Sequence, residues 1–330
     1  MKALKITGII IIILIVAAGG LLAYVKFALP DVGPPPDITV EITPERLERG
    51  EYLAHHVALC IDCHSVRDWN KFGAPPIEGT FGGGGESFKR EWGFPGEYHA
   101  PNITPNGIGD WTDGELYRAI VSGVNKDGKA LFPIMPYPLY GKLDKEDIYS
   151  IIAYIRTLKP IGRDNPESVS DFPMNFIINT IPSRPQHTEM PDKDDVLAYG
   201  EYLGNGCIEC HTLAEKGMII PELAYSGGRE FALPTGGIVR SSNITPDPET
   251  GIGNWTKEQF VNKFKTFADS SYQHQTVGPN EFNSVMPWTM YAGVKEEDLK
   301  AIYAFLMTLK PIKNKVVRFT PDPHTTSSGE

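Results

Sequence analysis

The chain has 330 residues, of which 41% are hydrophobic, so its length predicts two domains of ordinary size that can each bury a core. Its formal net charge of −10 argues against nucleic acid as a partner, and its four cysteines are few for a disulfide scaffold. The 33 glycines and 28 prolines imply many turns, which favours short helices joined by long loops over a regular sheet. We therefore expect a mainly α fold.

The N-terminus carries Lys2 and Lys5 before an uncharged apolar run, Ile6–Val25. About twenty helical residues span roughly 30 Å, the thickness of a bilayer core. Residues 1–28 are therefore expected to form a single transmembrane helix with its basic end in the cytoplasm. The alternative is a cleaved signal peptide, because the small residues Ala17–Gly19 could form a cleavage site. Both interpretations put the rest of the chain on the outer, periplasmic side of the cytoplasmic membrane.

Beyond this segment the chain repeats itself in order, with a period of about 150 residues, whereas solenoid repeats are only about 20–50 residues long. The matching motifs are Gly50–Leu53 and Gly200–Leu203, Cys60–His64 and Cys207–His211, Asn102–Pro105 and Asn243–Pro246, Gly107–Thr112 and Gly251–Thr256, Met135-Pro136 and Met286-Pro287, and Thr157–Ile161 and Thr308–Ile312. We interpret the repeat as two copies of one whole domain. The predicted segments are the N-terminal helix (1–28), a Pro-rich spacer (29–40), domain 1 (41–160), an irregular surface linker (161–191), domain 2 (192–318) and a flexible tail (319–330).

Each copy shows the same helical pattern. A first helix has Pro44 in its first turn, a favourable position for proline. A second helix begins with a capping box at Thr112 and Glu115, and its partner does so at Thr256 and Gln259. The last helix of each copy has one apolar face, formed by Ile148, Ile151, Ile152, Ile155 and Leu158, and by Leu299, Ile302, Tyr303, Leu306 and Leu309. No strand pattern of comparable strength appears.

The Cys-x-x-Cys-His motif occurs once in each copy and uses all four cysteines. Two thiols three positions apart on one helical turn can add to the vinyl groups of one haem, and the histidine that follows then lies under the iron. We therefore predict two covalently attached haem c groups. The residues that would hold them are Cys60, Cys63 and His64 in the first copy, and Cys207, Cys210 and His211 in the second.

Three other uses of these cysteines are possible. A zinc site usually brings two Cys-x-x-Cys pairs within about 15–20 residues of each other, and here they are far more distant. Local disulfides are possible in an exported protein but would not explain a histidine after each pair. A thioredoxin-like motif would need a βαβ pattern, which the sequence lacks.

The sixth iron ligand has to come from elsewhere in the chain. Of eight methionines, only Met135 and Met286 occupy matching places in the repeat, each followed by proline. We predict that they bind the two irons, although methionines also commonly fill gaps in cores. The remaining candidates lack counterparts and are expected to be surface or loop residues: His55, His56, His99 and His274.

Two further features have a possible role at the haems. Trp111 and Trp255 occupy equivalent positions and are either core aromatics or donors of an indole N–H to a haem propionate. Gly82–Gly85 is a four-glycine run without the Gly-Lys-Ser/Thr continuation of a phosphate loop. We expect it to fold tightly near the haem edge.

This combination of motifs resembles the multihaem cytochrome c subunits of membrane-bound alcohol, gluconate and aldehyde dehydrogenases. The likeness runs from Arg49 to Ile312, and the Asn-Ile-Thr-Pro and Gly-Ile-Gly-x-Trp segments are its more particular marks. It implies that the two repeats are cytochrome c domains, and that the chain accepts electrons from a dehydrogenase subunit and passes them to the quinone pool or to an oxidase. The sequence departs from the family in having two haem domains instead of three, and an N-terminal anchor.

The expected function is therefore electron transfer without chemistry of its own. Iron bound by histidine and methionine has no open position for a substrate. The expected partners are a redox donor and acceptor (a dehydrogenase subunit, a quinol-oxidising complex or a terminal oxidase) and the membrane. Two alternatives remain at this point: a dihaem peroxidase, and a haem subunit of a larger respiratory complex.

Overall fold

The computed structural model describes residues 2–215 and 217–323, and helices form most of its regular structure. The helices are α1 (Lys2–Phe27), α2 (Pro44–Tyr52), α3 (Cys60–Cys63), α4 (Pro105–Ile108), α5 (Asp113–Ser122), α6 (Tyr137–Tyr140), α7 (Lys145–Ile155), α8 (Met174–Ile177), α9 (Val196–Gly204), α10 (Cys207–His211), α11 (Lys257–Lys265), α12 (Trp288–Tyr291) and α13 (Glu296–Leu306). The strands, which the sequence did not signal, are short: β1 (Ser87–Phe88), β2 (Gly96–His99), β3 (Val169–Ser170), β4 (Ala214–Glu215), β5 (Met218–Ile219), β6 (Glu230–Ala232), β7 (Ile238–Arg240) and β8 (Phe319–Thr320). The prediction of a mainly α fold is confirmed.

The N-terminal helix α1 contains the predicted apolar segment. Its stretch Leu4–Phe27 has 24 residues, and an 18-residue window within it has a mean hydropathy of 2.8 and is not buried by the rest of the chain. By length and composition it can cross a membrane, and a signal sequence has the same properties. The apolar helix is therefore present, and its role as a retained anchor stays a prediction.

The first repeat (residues 41–160) is built on a crossing of α2 with α7. Thr43 caps α2, because its hydroxyl oxygen accepts a hydrogen bond from the backbone N–H of Arg46 at 3.3 Å. Gly50 lets the two helices touch, since a Cβ there would lie 1.9 Å from the backbone oxygen of Ser150. The predicted apolar face of α7 forms the core at this crossing through Ile148, Ile151 and Ile152.

The second repeat (residues 192–318) has the same crossing, here between α9 and α13. A Cβ on Gly200 would lie 2.1 Å from the backbone oxygen of Ala301, so glycine is needed at the equivalent place. Leu299 and Leu306 of α13 are each 1% exposed and form the centre of the second core. Both predicted capping boxes are also present, at the starts of α5 and α11. The two repeats therefore share the helix crossing and the capped helix, in the same order along the chain.

The two repeats contact each other through reciprocal hydrogen bonds. The Tyr52 hydroxyl donates to Asp298 Oδ2 at 2.5 Å, and the Tyr202 hydroxyl donates to Asp147 Oδ2 at 2.7 Å. Both aspartates are buried. Because the two tyrosines are equivalent and the two aspartates are equivalent, the repeats pack with approximate twofold symmetry, as two copies do in an isologous interface.

The linker between the repeats is more ordered than the sequence suggested. Within residues 161–191, β3 extends the antiparallel sheet formed by β1 and β2, with Ser170 opposite Gly96. The short helix α8 and the 3-10 turn Ile178–Thr180 follow. The expectation of an irregular linker is therefore wrong for residues 169–180, because a strand pairing distant in the chain orders the segment.

The C-terminal boundary also differs from the expectation. β8 pairs with β7, and Phe319 lies opposite Val239. The second repeat therefore continues past residue 318, and residues 319 and 320 belong to a sheet instead of a flexible tail. Residues 324–330 lie outside the described part of the chain.

Candidate functional site

The first Cys-x-x-Cys-His motif forms a single helical turn. Leu59 directly precedes this turn and has a left-handed backbone, with a φ of 56° and a ψ of 30°. The helix α3 then begins at Cys60. The backbone N–H of His64 donates to the Cys60 carbonyl at 2.9 Å and keeps the histidine against this turn. Both cysteines and the histidine of the motif are thus presented on one helical turn, as the predicted haem attachment requires.

The two motif histidines are oriented in the same way. His64 Nδ1 lies 2.8 Å from the carbonyl oxygen of Pro101, and His211 Nδ1 lies 2.7 Å from that of Ser242. A carbonyl oxygen only accepts, so Nδ1 carries the proton and Nε2 presents its lone pair. Burial lowers the pKa of both imidazoles, with the carbonyl hydrogen bond opposing it, and favours the neutral form that binds metal. Histidines that bind metals commonly donate their other N–H in this way.

The Asn-Ile-Thr-Pro segment holds the carbonyl that orients each histidine. Asn102 Oδ1 accepts from the N–H and the hydroxyl of Thr104 at 2.9 and 2.7 Å, and its Nδ2 donates to the Ile161 carbonyl at 2.7 Å. Asn243 makes the same three bonds, to Thr245 at 2.9 and 2.8 Å and to the carbonyl after α13 at 2.7 Å. Each loop is thus tied to the segment after the last helix. The motif was evident in the sequence, but this role of its asparagine was not. The recurrence of Asn-x-Thr in both repeats could have indicated it.

The four-glycine run contacts the same histidine from its backbone side. The N–H of Gly84 donates to the His64 carbonyl at 2.9 Å, and the N–H of Gly227 donates to the His211 carbonyl at 2.7 Å. Their φ values are 74° and 75°, a region in which glycine is favoured. The run Gly82–Gly85 is therefore a tight turn on the histidine backbone, as the sequence analysis expected of a loop near the haem.

A cavity of about 450 Å³ lies between the first Cys-His turn and the loop that contains Met135. Its lining includes Cys60, Cys63 and His64 on one side and Met135, Pro136 and Tyr140 on the other. Leu131, Phe132 and Ile134 make much of the wall apolar. Small-molecule and cofactor sites commonly have volumes of roughly 300–1,000 Å³ and mostly apolar walls. Two thiols, a neutral imidazole and a thioether around one apolar cavity fit a haem.

The second site has the same proximal turn and a differently supported methionine loop. Tyr291, which ends α12, packs in the same hydrophobic cluster as Cys207. α12 begins two residues after Met286, whose backbone N–H donates to Ser284 Oγ at 3.2 Å. The Met286 loop therefore adjoins the core that contains the second Cys-His turn.

A residue that the sequence analysis missed joins this loop to the first repeat. Asn283 is fully buried, and its Nδ2 donates to the carbonyl oxygens of Trp69 and Lys71 at 3.0 and 3.2 Å. Its Oδ1 accepts from the backbone N–H of Gly73 at 2.9 Å. The first repeat has Phe132 at the equivalent place, so the repeat gave no signal for Asn283.

The cysteines lack the properties of reactive thiols. Burial raises the pKa of Cys60 and of Cys207 to about 12, and it raises the pKa of Cys63 and Cys210 as well. Redox-active cysteines have lowered pKa values, and here all four cysteines are unpaired. Across the described residues, no group of three or more His, Cys, Asp or Glu side chains is arranged to hold a metal ion. The raised pKa values of the thiols do not fit a thioredoxin-like redox motif.

Three of the other histidines are not surface residues, which corrects the expectation for them. His55 Nε2 lies 2.7 Å from the Tyr154 hydroxyl, and burial lowers the pKa of His55 to about 4. His56 Nδ1 donates to the Met290 carbonyl of the other repeat at 2.6 Å. His99 lies on β2 and lines the first cavity. Tyr154 of α7, the second repeat and the short sheet partly cover His55, His56 and His99 respectively, and the sequence signalled none of these contacts.

The two equivalent tryptophans support loops through their backbones. Trp111 packs against the first core, outside the lining of the first cavity, and its carbonyl accepts from the Arg156 guanidinium. Trp255 is 37% exposed, and its carbonyl accepts from the Tyr303 hydroxyl at 2.7 Å. These contacts suit a structural role for both residues, and an indole contact with a haem propionate stays a prediction.

Comparison with known proteins agrees with this geometry. Residues 198–310 match the family model of cytochrome c. The chain is 28% identical to the cytochrome c subunit of the alcohol dehydrogenase (quinone) of Gluconacetobacter polyoxogenes, over 85% of this chain and 59% of that protein. It is 32% identical to the fructose dehydrogenase cytochrome subunit of Gluconobacter japonicus, over 67% and 44%. It is 27% identical to the gluconate 2-dehydrogenase cytochrome c subunit of Pantoea cypripedii, over 84% and 62%.

The chain thus has a cytochrome c domain at residues 198–310 and is homologous to cytochrome c subunits of alcohol, fructose and gluconate dehydrogenases. The resemblance expected from the sequence motifs is confirmed. The chain spans about three fifths of the length of the first of these relatives.

Proposed function

We propose that the chain transfers single electrons through two covalently attached haems, one in each of two tandem cytochrome c domains. The observation that carries this proposal is the meeting of the first Cys-x-x-Cys-His turn with Met135 around one cavity. The histidine–carbonyl hydrogen bond, which recurs in both repeats, supports a second haem held in the same way. When bound, the haem iron supplies one-electron oxidation and reduction.

The side chains of the protein prepare each site for an iron with two axial ligands. His64 and His211 present Nε2, because Nδ1 is held as a donor by a backbone carbonyl. Met135 and Met286 would supply the thioether sulfur from the other side, and methionine ligation raises the potential of a haem. If a histidine and a methionine both bound each iron, no position would be left for a substrate, which would favour a carrier over a dihaem peroxidase.

We also propose that α1 is retained as a single membrane anchor, with both repeats on the periplasmic side. The length and hydropathy of Leu4–Phe27 support a span, and the preceding basic residues support an inside N-terminus. N-terminal sequencing of the native protein tests this. A mature chain that begins near Gly20 would show that the segment is a signal peptide.

The partner is proposed from the names of the relatives. Those proteins are cytochrome subunits of alcohol, fructose and gluconate dehydrogenases. We infer that this chain accepts electrons from a dehydrogenase-type partner and passes them to a membrane acceptor or terminal oxidase. Purification in mild detergent should bring such a partner with the chain. Recovery of the chain inside a larger respiratory complex would favour the alternative of a haem subunit.

Counting haems tests the central proposal. We expect two covalent haems for each purified chain, and one in a variant that carries Cys60→Ser and Cys63→Ser. The matched variant, Cys207→Ser with Cys210→Ser, should keep the other haem. Loss of all haem colour on denaturation would overturn covalent attachment.

Changing one axial ligand at a time tests the methionine assignments. Met135→His should lower one of the two midpoint potentials and leave the other unchanged, because histidine stabilises oxidised iron more than methionine does. Met286→His should do the reverse. An undiminished Met–iron absorption band in Met135→Ala would refute the first assignment, and a high-spin component in the native spectrum would favour the peroxidase alternative.

A further inference from the structure

The ordered part of the linker exposes large apolar side chains. Residues 172–178 read Phe-Pro-Met-Asn-Phe-Ile-Ile and include α8. Phe172 is 79% exposed and Ile177 is 44% exposed, although both belong to one short ordered segment. Neighbouring exposed apolar side chains of this size commonly mark a surface that contacts a membrane or another molecule.

This segment packs against the end of α1, the helix proposed as the membrane span. Asn179 Nδ2 donates to the Val25 carbonyl at 3.2 Å. The Lys26 ammonium lies 5.9 Å from the centroid of the Phe176 ring, and the Phe172 ring lies 6.3 Å from that of Phe176. The exposed face of the linker is therefore continuous with the last turn of the apolar helix.

The position of the last turn of α1 in the membrane sets the depth of the linker residues that pack against it. Leu4–Phe27 is only long enough to cross one bilayer, so its last residues lie at the outer boundary between lipid and water. Tyrosine and lysine side chains favour this boundary, because the amphipathic ring of tyrosine sits at the level of the headgroups and lysine extends toward water. Tyr24, 57% exposed, and Lys26 have these properties.

The charges beside the segment are compatible with a lipid surface. Asp171, which directly precedes Phe172, is paired with the Arg90 guanidinium at 2.6 Å. Lys26 adds a positive charge that anionic headgroups attract. Although the chain has a negative net charge, the Asp171 carboxylate is therefore paired and does not repel anionic headgroups.

We propose that residues 172–178 form a second membrane contact, in which Phe172 and Ile177 enter the outer interface of the bilayer beside α1. This inference rests on the proposed anchor and goes beyond it, because it assigns a lipid-binding role to the linker between the repeats. Two contacts would fix the orientation of the first repeat on the membrane, whereas a single helix with a spacer would leave it free to rotate.

The same contact would set the position of the first haem site. Lys26, Leu29, Asn175, Ile178 and Asn179 line the cavity that also contains His64 and Met135. The segment is therefore a wall of the cavity on one side and a membrane contact on the other. The first haem site would lie directly above the lipid surface, within reach of a membrane-bound electron partner.

Spin labels on the full chain test the inference in vesicles of phosphatidylcholine and phosphatidylglycerol. The proposed haem attachment would occupy the four native cysteines, so that a single introduced thiol takes the label. The labelled variants are Phe172→Cys, Ile12→Cys in the proposed span, and Val317→Cys, a 68% exposed site in the second repeat. Power saturation then compares collisions with oxygen, which concentrates in lipid, and with a water-soluble nickel chelate.

We expect the label at 172 to collide severalfold more with oxygen, and severalfold less with nickel, than the label at 317. If the labels at 172 and 317 behave alike while the label at 12 is in lipid, the membrane contact is wrong and the anchor stands. If the label at 172 is shielded from both reagents, protein covers the segment and the inference is also wrong. A label at 12 that collides freely with nickel would overturn the anchor and the contact together.

Discussion

A substitution of Asn283 offers the sharpest test of how the first repeat supports the Met286 loop. Its side chain is fully buried and bonded to four backbone groups. It accepts from the N–H of Gly73 and of Ser284 at 2.9 and 2.7 Å, and it donates to the carbonyls of Trp69 and Lys71 at 3.0 and 3.2 Å. Leucine has a similar size, so Asn283→Leu removes the hydrogen bonds with little change in volume.

The expected loss of stability follows from the groups that this change leaves unpaired. A buried donor or acceptor without a partner costs about 1–3 kcal/mol, and the buried Gly73 N–H would lose its partner, so we expect a loss of about 1–3 kcal/mol. Met286 lies three residues further along, and its N–H depends on Ser284 for a partner. We therefore expect urea unfolding at lower denaturant concentration, a weaker Met–iron absorption band and a lower potential for one haem only.

Asn70→Ala is the matched control. Asn70 lies in the first-repeat loop that Asn283 contacts, and its side chain is exposed. Exposed substitutions usually change stability by less than about 0.5 kcal/mol, and this one should leave the spectrum and both potentials unchanged. The proposed role of Asn283 would be refuted if Asn283→Leu unfolded at the native denaturant concentration with both potentials intact. Equal changes at both haems would point to general unfolding.

Three further outcomes are expected from urea unfolding. Gly50→Ala should cost at least about 3 kcal/mol, since its Cβ would lie 1.9 Å from the backbone of α7, whereas Gly206→Ala, with open space around it, should change little. Tyr202→Phe removes a hydrogen bond to the buried Asp147 carboxylate and should cost about 1.5–3 kcal/mol. Burial raises the pKa of Glu86 from 4.5 to about 7, so the folded chain holds this proton where the unfolded chain releases it. The contribution of Glu86 to stability should therefore fall as the pH rises from about 4.5 to about 7, and Glu86→Gln should remove that slope.

Much of the fold could be predicted because its determinants are local. The capping boxes at Thr112 and Thr256 and the apolar face of α7 are patterns within ten or so residues, and each forms the predicted helix. The Cys-His turns are equally local. The repeat added long-range information, since it selected two methionines from eight. The structure then brings Met135 to the cavity of the first Cys-His turn.

The rest depended on contacts between distant parts of the chain. His55 and His56 looked like surface residues because their partners are distant in sequence: His55 contacts Tyr154 of the first repeat, and His56 contacts Met290 of the second repeat. The linker looked irregular because β3 exists only through its pairing with β2. Asn283 gave no signal for the same reason: its partners lie in the other repeat, and one polar residue in a loop has no period.

The two repeats share the device that orients the histidine and differ in what supports the methionine. His64 and His211 are held by carbonyl hydrogen bonds of 2.8 and 2.7 Å from equivalent loops. The Met135 loop instead faces a cavity walled by α1 and the linker, and the Met286 loop is held by Asn283 to the other repeat. Haem potential depends on the axial ligand and on the polarity and burial of its surroundings. Any difference in potential between the two proposed haems would therefore originate mainly on the methionine side.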